Sequence, residues 1–182
     1  MKMNKNQHSS PGRVLLFTGD GKGKTTAALG MALRATGHGM KIMFIQFVKS
    51  DPNTGETAAF AGLPGTTIVQ AGRGFVPDSS KPDFAEHCRA AEAGLEQAKE
   101  ALNSGRFEMV CLDEIAYAVA RGLLSEKAVM EVVRASHPET IVVLTGRNAT
   151  SGLIELADTV TEMKKIKHGL EIGWTAQKGV EE

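Results

Sequence analysis

The chain has 182 residues, enough for one sizeable core and too few for two domains of ordinary size. Its hydrophobic fraction of 42% and charged fraction of 23% are those of a globular protein, and Lys plus Arg equals Asp plus Glu at 21 each. No global positive field therefore marks it for nucleic acid or for an acidic membrane surface.

Residues Met1 to Pro11 are polar and read as a flexible lead to a single domain over residues 12–182. The first ten residues hold no apolar run, so no signal peptide is expected, and no run approaches the length that spans a bilayer. A cytoplasmic protein with no membrane partner is the expectation. Arg13 to Phe17 is a short apolar strand. Thr25 to Thr36 then places Ala, Leu and Met at helical spacing until Gly37 and Gly39 stop it. Lys41 to Val48 gives a second strand and Thr67 to Gln70 a shorter third. Gly55 to Gly74 and Phe75 to Pro82 are rich in Gly, Pro, Ser and Thr, and their length suggests functional loops. Phe84 to Asn103 reads as a long helix, Glu108 to Leu112 as a fourth strand, and Ile115 to about Arg121 as a helical stretch. Ser125 opens a further helix, with Glu126 in its first turn and Pro138 beyond its end. Thr140 to Leu144 and Thr159 to Met163 complete six strands. Strands apolar throughout and separated by helices indicate a parallel sheet covered on both faces. Their C-terminal ends should share one edge, where the chemistry is expected.

Directly after the first strand stands Thr18-Gly19-Asp20-Gly21-Lys22-Gly23-Lys24-Thr25-Thr26. Glycines at alternate positions let backbone N–H groups converge, and the following helix adds its N-terminal dipole. Lys24 supplies a cation to phosphates, and the Thr25 hydroxyl can ligate magnesium. The pattern is a phosphate-binding loop for ATP, with Gly19 to Thr26 as the cradle and Thr18 where the common form has Gly. It points to a P-loop NTPase-like, RecA-like three-layer α/β fold with a mostly parallel central sheet. Lys22 reads equally as a phosphate contact and as a solubilising surface residue. Two free-standing cysteines, Cys88 and Cys111, lie in no C-x-x-C and near no His at zinc-finger spacing. Structural zinc is not expected, and a disulfide stays open.

Asp113-Glu114 ends the fourth strand on the same edge, where a carboxylate can hold magnesium opposite Thr25. Asp113 also suits the N-cap of the next helix, leaving Glu114 to face the metal. Arg147, in Thr145-Gly146-Arg147-Asn148, ends the fifth strand, either as a phosphate contact or as a buried structural arginine. Lys164, Lys165, Lys167 and His168 form a basic cluster that reads mainly as a solvated face.

Several segments together resemble the ATP:corrinoid adenosyltransferases of the bacterial cobalamin pathway. They are TGDGKGKTTAALGMALRATGHG (Thr18 to Gly39), IQFVKS (Ile45 to Ser50), Gly74-Phe75, VCLDEI (Val110 to Ile115), LTGRNA (Leu144 to Ala149), ADTVTEMKKIKHG (Ala157 to Gly169) and AQKGVE (Ala176 to Glu181). The resemblance implies that the Co(I) of a reduced corrinoid attacks the 5′-carbon of ATP. The 5′-deoxyadenosyl group moves to cobalt and triphosphate leaves, in cobalamin biosynthesis or salvage. It further implies ATP held in a reversed sense that frees the ribose carbon, an electron-donating reductase and a homodimer; magnesium is the expected cation, with replacement by manganese left open. The departure at Thr18 is expected to go with that reversal. Lys24, Glu114, Arg147 and Phe75 would be catalytic, and Thr25, Glu114 and Asp113 the metal ligands. Phe75 matches an aromatic that shields cobalt, with an ordinary loop anchor as the other reading. Many members carry Trp two residues later, where this chain has Pro77. The long N-terminal helix of some members is largely absent before Gly12. A kinase or ATPase releasing phosphate or ADP, and a non-catalytic ATP-binding corrinoid carrier, are the alternatives that reaction products would separate.

Overall fold

The computed structural model describes residues 11–180, so the expected lead lies outside the described residues but for Pro11. Six strands form one sheet: Val14–Thr18 (β1), Ile42–Gln46 (β2), Thr66–Gln70 (β3), Met109–Asp113 (β4), Ile141–Thr145 (β5) and Thr159–Glu162 (β6). Their order is β3-β2-β4-β5-β1-β6, and every pairing is parallel. Between them run the helices Lys24–Thr36 (α1), Gly55–Ala61 (α2), Phe84–Asn103 (α3), Ile115–Ala120 (α4), Glu126–Arg134 (α5) and Ser151–Leu156 (α6).

The period-two alternation of β1 to β5 sorts their side chains between two cores, whereas the edge strand β6 is exposed throughout. Leu16, Ile45, Leu112, Val142 and Leu144 face the side covered by α3, α4, α5 and α6, against Leu95, Ala98, Ile115, Val129 and Leu153. Ile42, Phe44, Cys111 and Val143 face the other side, under Ala28, Ala32 and Ala35 of α1 and Phe60 of α2. Alanine at positions four and then three apart makes the buried stripe of α1 narrow and small, so this helix lies close on the sheet. The two layers of helix with the sheet between them are the expected three-layer arrangement.

Two elements differ from the sequence expectation. Gly55–Ala61, read as loop, is helical; Phe60 is its one buried side chain and meets Phe44 edge-on, centroids 5.6 Å apart at 69°. Ser151–Leu156 is also a helix, opened by Thr150 and anchored by Leu153. With a single buried residue each, neither shows the 3.6-residue period that marks a helix in sequence. Strands β1, β4 and β5 also run one residue further than their apolar runs, to Thr18, Asp113 and Thr145. That extension brings polar groups into the ladder at the C-terminal edge. Cys88 and Cys111 are both free, so the disulfide left open by the sequence is absent.

Candidate functional site

The site grows from the β1–α1 connection. Gly19 and Gly23 hold φ of 94° and 118°, a left-handed backbone that favours glycine. Gly21 is fixed by close approach instead: its N–H donates to the Met163 carbonyl at 2.6 Å, and an added Cβ would lie 2.6 Å from that same oxygen. Gly23 is the N-cap of α1 and no side chain caps it, and the first turn holds no acidic residue. The helix therefore offers free N–H groups and the positive end of its dipole to an anion.

Lys24 is buried and folds back on the loop, its Nζ donating to the carbonyls of Gly19 at 2.7 Å and Gly21 at 2.8 Å. Burial holds its pKa below the ordinary lysine value, against the opposing pull of Glu114. A phosphate placed beside it would restore the charge that burial penalises. Thr18, the loop position that departs from the common pattern, is the last ladder residue of β1, paired with Glu162, and needs no left-handed backbone. Its Oγ1 accepts from the Ala149 N–H at 3.4 Å, which ties the loop to the end of β5.

Opposite stands β4. Thr25 Oγ1 donates to Asp113 Oδ1 at 2.8 Å, and Thr145 Oγ1 donates to the same oxygen at 2.7 Å. Asp113 Oδ2 is sealed from solvent and has no hydrogen-bond partner among the described residues. Thr145 is the hinge of this arrangement, because its Oγ1 also accepts the Glu114 N–H at 2.8 Å. The N-cap role considered for Asp113 is not what the molecule adopts: Asp113 lies inside β4, and Glu114 occupies the N-cap of α4 without a side-chain cap bond. Glu114 sits at φ 61°, a conformation that costs a non-glycine residue about 1–2 kcal/mol. Burial raises the pKa of both carboxyls, and for Glu114 the neighbouring Asp113 charge adds to it. An all-oxygen set with one orphaned buried carboxylate oxygen and a hydroxyl beside it fits a hard divalent cation such as magnesium. Among the described residues no cluster of three or more His, Cys, Asp or Glu forms a protein-only metal cage.

A cleft of about 570 Å³ joins these groups, lined by Gly21, Lys22, Gly23, Lys24, Thr25, Thr26, Glu114 and Arg147 among others. Gly19, the exposed Asp20 and the buried Asp113 are not part of that lining. Arg147 is exposed into the cleft rather than buried; its backbone N–H supports the Glu114 carboxylate. Lys22 Nζ donates to the Val180 carbonyl at 2.5 Å, so it ties the C-terminal segment to the loop. Lys164, Lys165 and Lys167 are exposed as expected of a solvated face, whereas His168 lines the cleft.

Phe75 is not part of this cleft. It is 90% exposed, while its neighbour Val76 is buried at 2%. Gly74 N–H donates to the Val48 carbonyl at 2.7 Å, and Arg121 Nη2 donates to the Pro77 carbonyl at 2.7 Å. The loop anchor is thus Val76, and the pinned loop presents Phe75 to solvent. Sequence reasoning did not single out Thr145, Gln46, Lys49 or Glu56 as site residues. Of these, Lys49 and Glu56 line the cleft. Gln46 and Lys49 lie within a segment that carries the resemblance, but Glu56 lay in a stretch read as loop and gave no signal.

Comparison with known proteins agrees with this geometry. The family model described as ATP:corrinoid adenosyltransferase BtuR/CobO/CobP matches residues 10–181. A corrinoid adenosyltransferase of Pseudomonas aeruginosa is 40% identical over 171 residues, covering 93% of this chain and 83% of that protein. One from Escherichia coli K12 is 35% identical over 170 residues, covering 93% and 85%. One from Salmonella typhimurium is 34% identical over 170 residues, again covering 93% and 85%. Among solved structures, the flagellar accessory protein FlaH of Methanocaldococcus jannaschii superposes with a TM-score of 0.56 at 10% identity. That likeness covers 84% of this chain and 71% of that one, and concerns the fold alone.

Proposed function

This chain belongs to the ATP:corrinoid adenosyltransferase family, an enzyme family of cobalamin metabolism, and we propose that its phosphate loop holds the triphosphate of ATP as the leaving group of that transfer. The Co(I) electron pair of the reduced corrinoid forms the bond to the 5′-carbon. The bond from that carbon to the α-phosphate oxygen breaks, and its electron pair departs with triphosphate. Co(I) carries no proton, so the transfer requires no general base. The protein's task is to position the reactants and neutralise the departing charge.

The supporting observation is the loop-to-strand constellation. An uncapped helix N-terminus and the buried Lys24 share one cleft with Glu114 and Arg147, and Thr25 and Thr145 hold the adjoining Asp113 by hydroxyl bonds. Gly21 to Thr26 would cradle phosphate oxygens, with Gly19 and Asp20 shaping the turn. Lys24 and Arg147 would bear on the leaving charge. Thr25, Glu114 and Asp113 would hold magnesium, or manganese in its place. When bound, that cation supplies Lewis-acid neutralisation of phosphate oxygens. Phe75, presented on a pinned loop at the same sheet edge, would lie against the corrinoid and help keep water off cobalt.

The remaining features of the proposal are a homodimer, electron supply by a separate reductase, and a cytoplasmic location. Among the described residues no helix is long and apolar enough to cross a membrane. The reaction is tested by anaerobic incubation with ATP, magnesium and chemically reduced corrinoid. A light-sensitive alkylcobalt spectrum with one triphosphate per corrinoid is the expected result. Phosphate release with an unchanged corrinoid spectrum would instead identify a nucleotidase. Lys24→Ala should lower the transfer rate at least about a hundredfold, the scale of losing one preorganised charge-stabilising donor.

A further inference from the structure

Besides the glycine-rich loop, the cleft is lined by the segment after β2 and by the start of α2, through Lys49, Gly55, Glu56 and Ala59. Lys49 Nζ bonds Glu56 Oε1, with side-chain exposures of 31% and 10% respectively. The same Glu56 oxygen accepts Gln46 Nε2 at 3.2 Å, and Gln46 Oε1 accepts Gln70 Nε2 at 3.1 Å. A chain of side chains thus runs from β3 through β2 to the cleft wall. Gln46 lies in register opposite Asp113 across the β2–β4 ladder, so this chain passes beside the strand position of the carboxylate that Thr25 holds.

Two physical points make this more than a packing device. A largely buried carboxylate–ammonium pair gives little net stability relative to apolar side chains of similar size. Moreover, α2 already has an apolar anchor in Phe60, buried at 5%. The pair is also asymmetric: the carboxylate is the less exposed partner and is fixed by two donors, while the ammonium is more exposed and borders the cleft. Lys49 has further N–H donors to direct at a ligand while Glu56 holds it.

We propose that Lys49 is a second phosphate-contacting cation, meeting the triphosphate in the cleft it shares with Lys24, and that Glu56 is the residue that positions it. The inference rests on reading the cleft as the nucleotide site. Two cations in one cleft grip a polyphosphate more specifically than one.

The test is calorimetric binding of magnesium tripolyphosphate to the full chain, with Lys24→Met as the reference variant. Lys49→Met should weaken binding about tenfold to a hundredfold, the scale of one charged hydrogen bond. Lys49→Arg should bind within a few-fold of the parent. Glu56→Gln should weaken binding by less than Lys49→Met, and that effect should vanish in a Lys49→Met background. A merely structural Glu56 would cost the same in either background. Should Lys49→Met disturb folding, Lys49→Gln keeps a hydrogen bond to Glu56 and must weaken binding as Met does. Parent-like binding by folded Lys49→Met or Lys49→Gln overturns the inference, as does an additive Glu56 effect. Loss in Lys24→Met with parent-like Lys49 variants refutes this inference alone. Loss in the Lys49 variants with parent-like Lys24→Met keeps it and refutes the phosphate-loop reading.

Discussion

Thr145 carries more of the site than its size suggests. Its hydroxyl donates to Asp113 Oδ1 and accepts from the Glu114 N–H, so one oxygen sets the direction of one carboxylate and the backbone of the next. The strand order explains why this falls to β5, which lies between β1, leading into the glycine-rich loop, and β4, bearing the carboxylates. Removing the hydroxyl while keeping the shape leaves a buried N–H without its partner and takes one of the two hydroxyl donors from Asp113. Thr145→Val should therefore cost about 1–3 kcal/mol in urea unfolding. It should also weaken magnesium tripolyphosphate binding about tenfold. Thr145→Ser should restore both, and a Thr145→Val protein as stable as the parent would show that the hydroxyl is not needed there. The residue was visible in the sequence as the end of an apolar run. Its partners were not, because residues 113 and 145 meet only once the strand order is known.

At the scale of elements, legibility followed the length of the buried stripe. Phe84–Asn103 was readable to both ends, because Ala91, Leu95, Ala98 and Leu102 recur on one face over 20 residues. The short helices α2 and α6 hide their period behind one buried side chain each. Within the long helices, two glycines make opposite demands that sequence alone does not separate. In α3, a Cβ on Gly94 would lie 2.6 Å from Ala71 Cβ and 3.2 Å from Phe47 Cε1, so the helix rests on the loop after β3 through that gap. In α1, a Cβ on Gly30 would meet nothing within 4 Å. Gly94→Ala gains helix propensity but overpacks, and a net loss of about 1–2 kcal/mol is expected. Gly30→Ala gains the propensity alone and should stabilise by about 0.5–1 kcal/mol. Thermal and urea unfolding of the pair check the argument, and equal effects would mean that α3 can shift on the sheet at no cost.

For the whole molecule, stability and function draw on the same buried charges, and pH separates them. Asp113 and Glu114 have folded-state pKa values raised above their ordinary 3.8 and 4.5, chiefly by burial. The native state therefore keeps protons that the unfolded chain releases. Their contribution is fully present below the ordinary values and is lost as pH rises through the raised ones. Glu56 has the opposite sign. Burial pushes it up, but the hydrogen bonds from Lys49, its own backbone and Gln46 outweigh that, so its contribution is present above its ordinary 4.5 and lost as pH falls. The protein without ligand should thus lose melting temperature on both sides of a mildly acidic optimum. The alkaline limb belongs to Asp113 and Glu114, and Asp113→Asn is the variant that probes it. That substitution removes a buried charge whose Oδ2 finds no partner, a penalty on the order of 1–3 kcal/mol. The variant should melt above the parent at pH 8 and together with it near pH 4, when measured by circular dichroism without nucleotide. Adding magnesium and tripolyphosphate should reverse the order at pH 8, because ligand stabilises only the protein that binds it. A variant less stable than the parent at pH 8 in the absence of ligand would place the worth of Asp113 in its hydroxyl bonds rather than in cation binding.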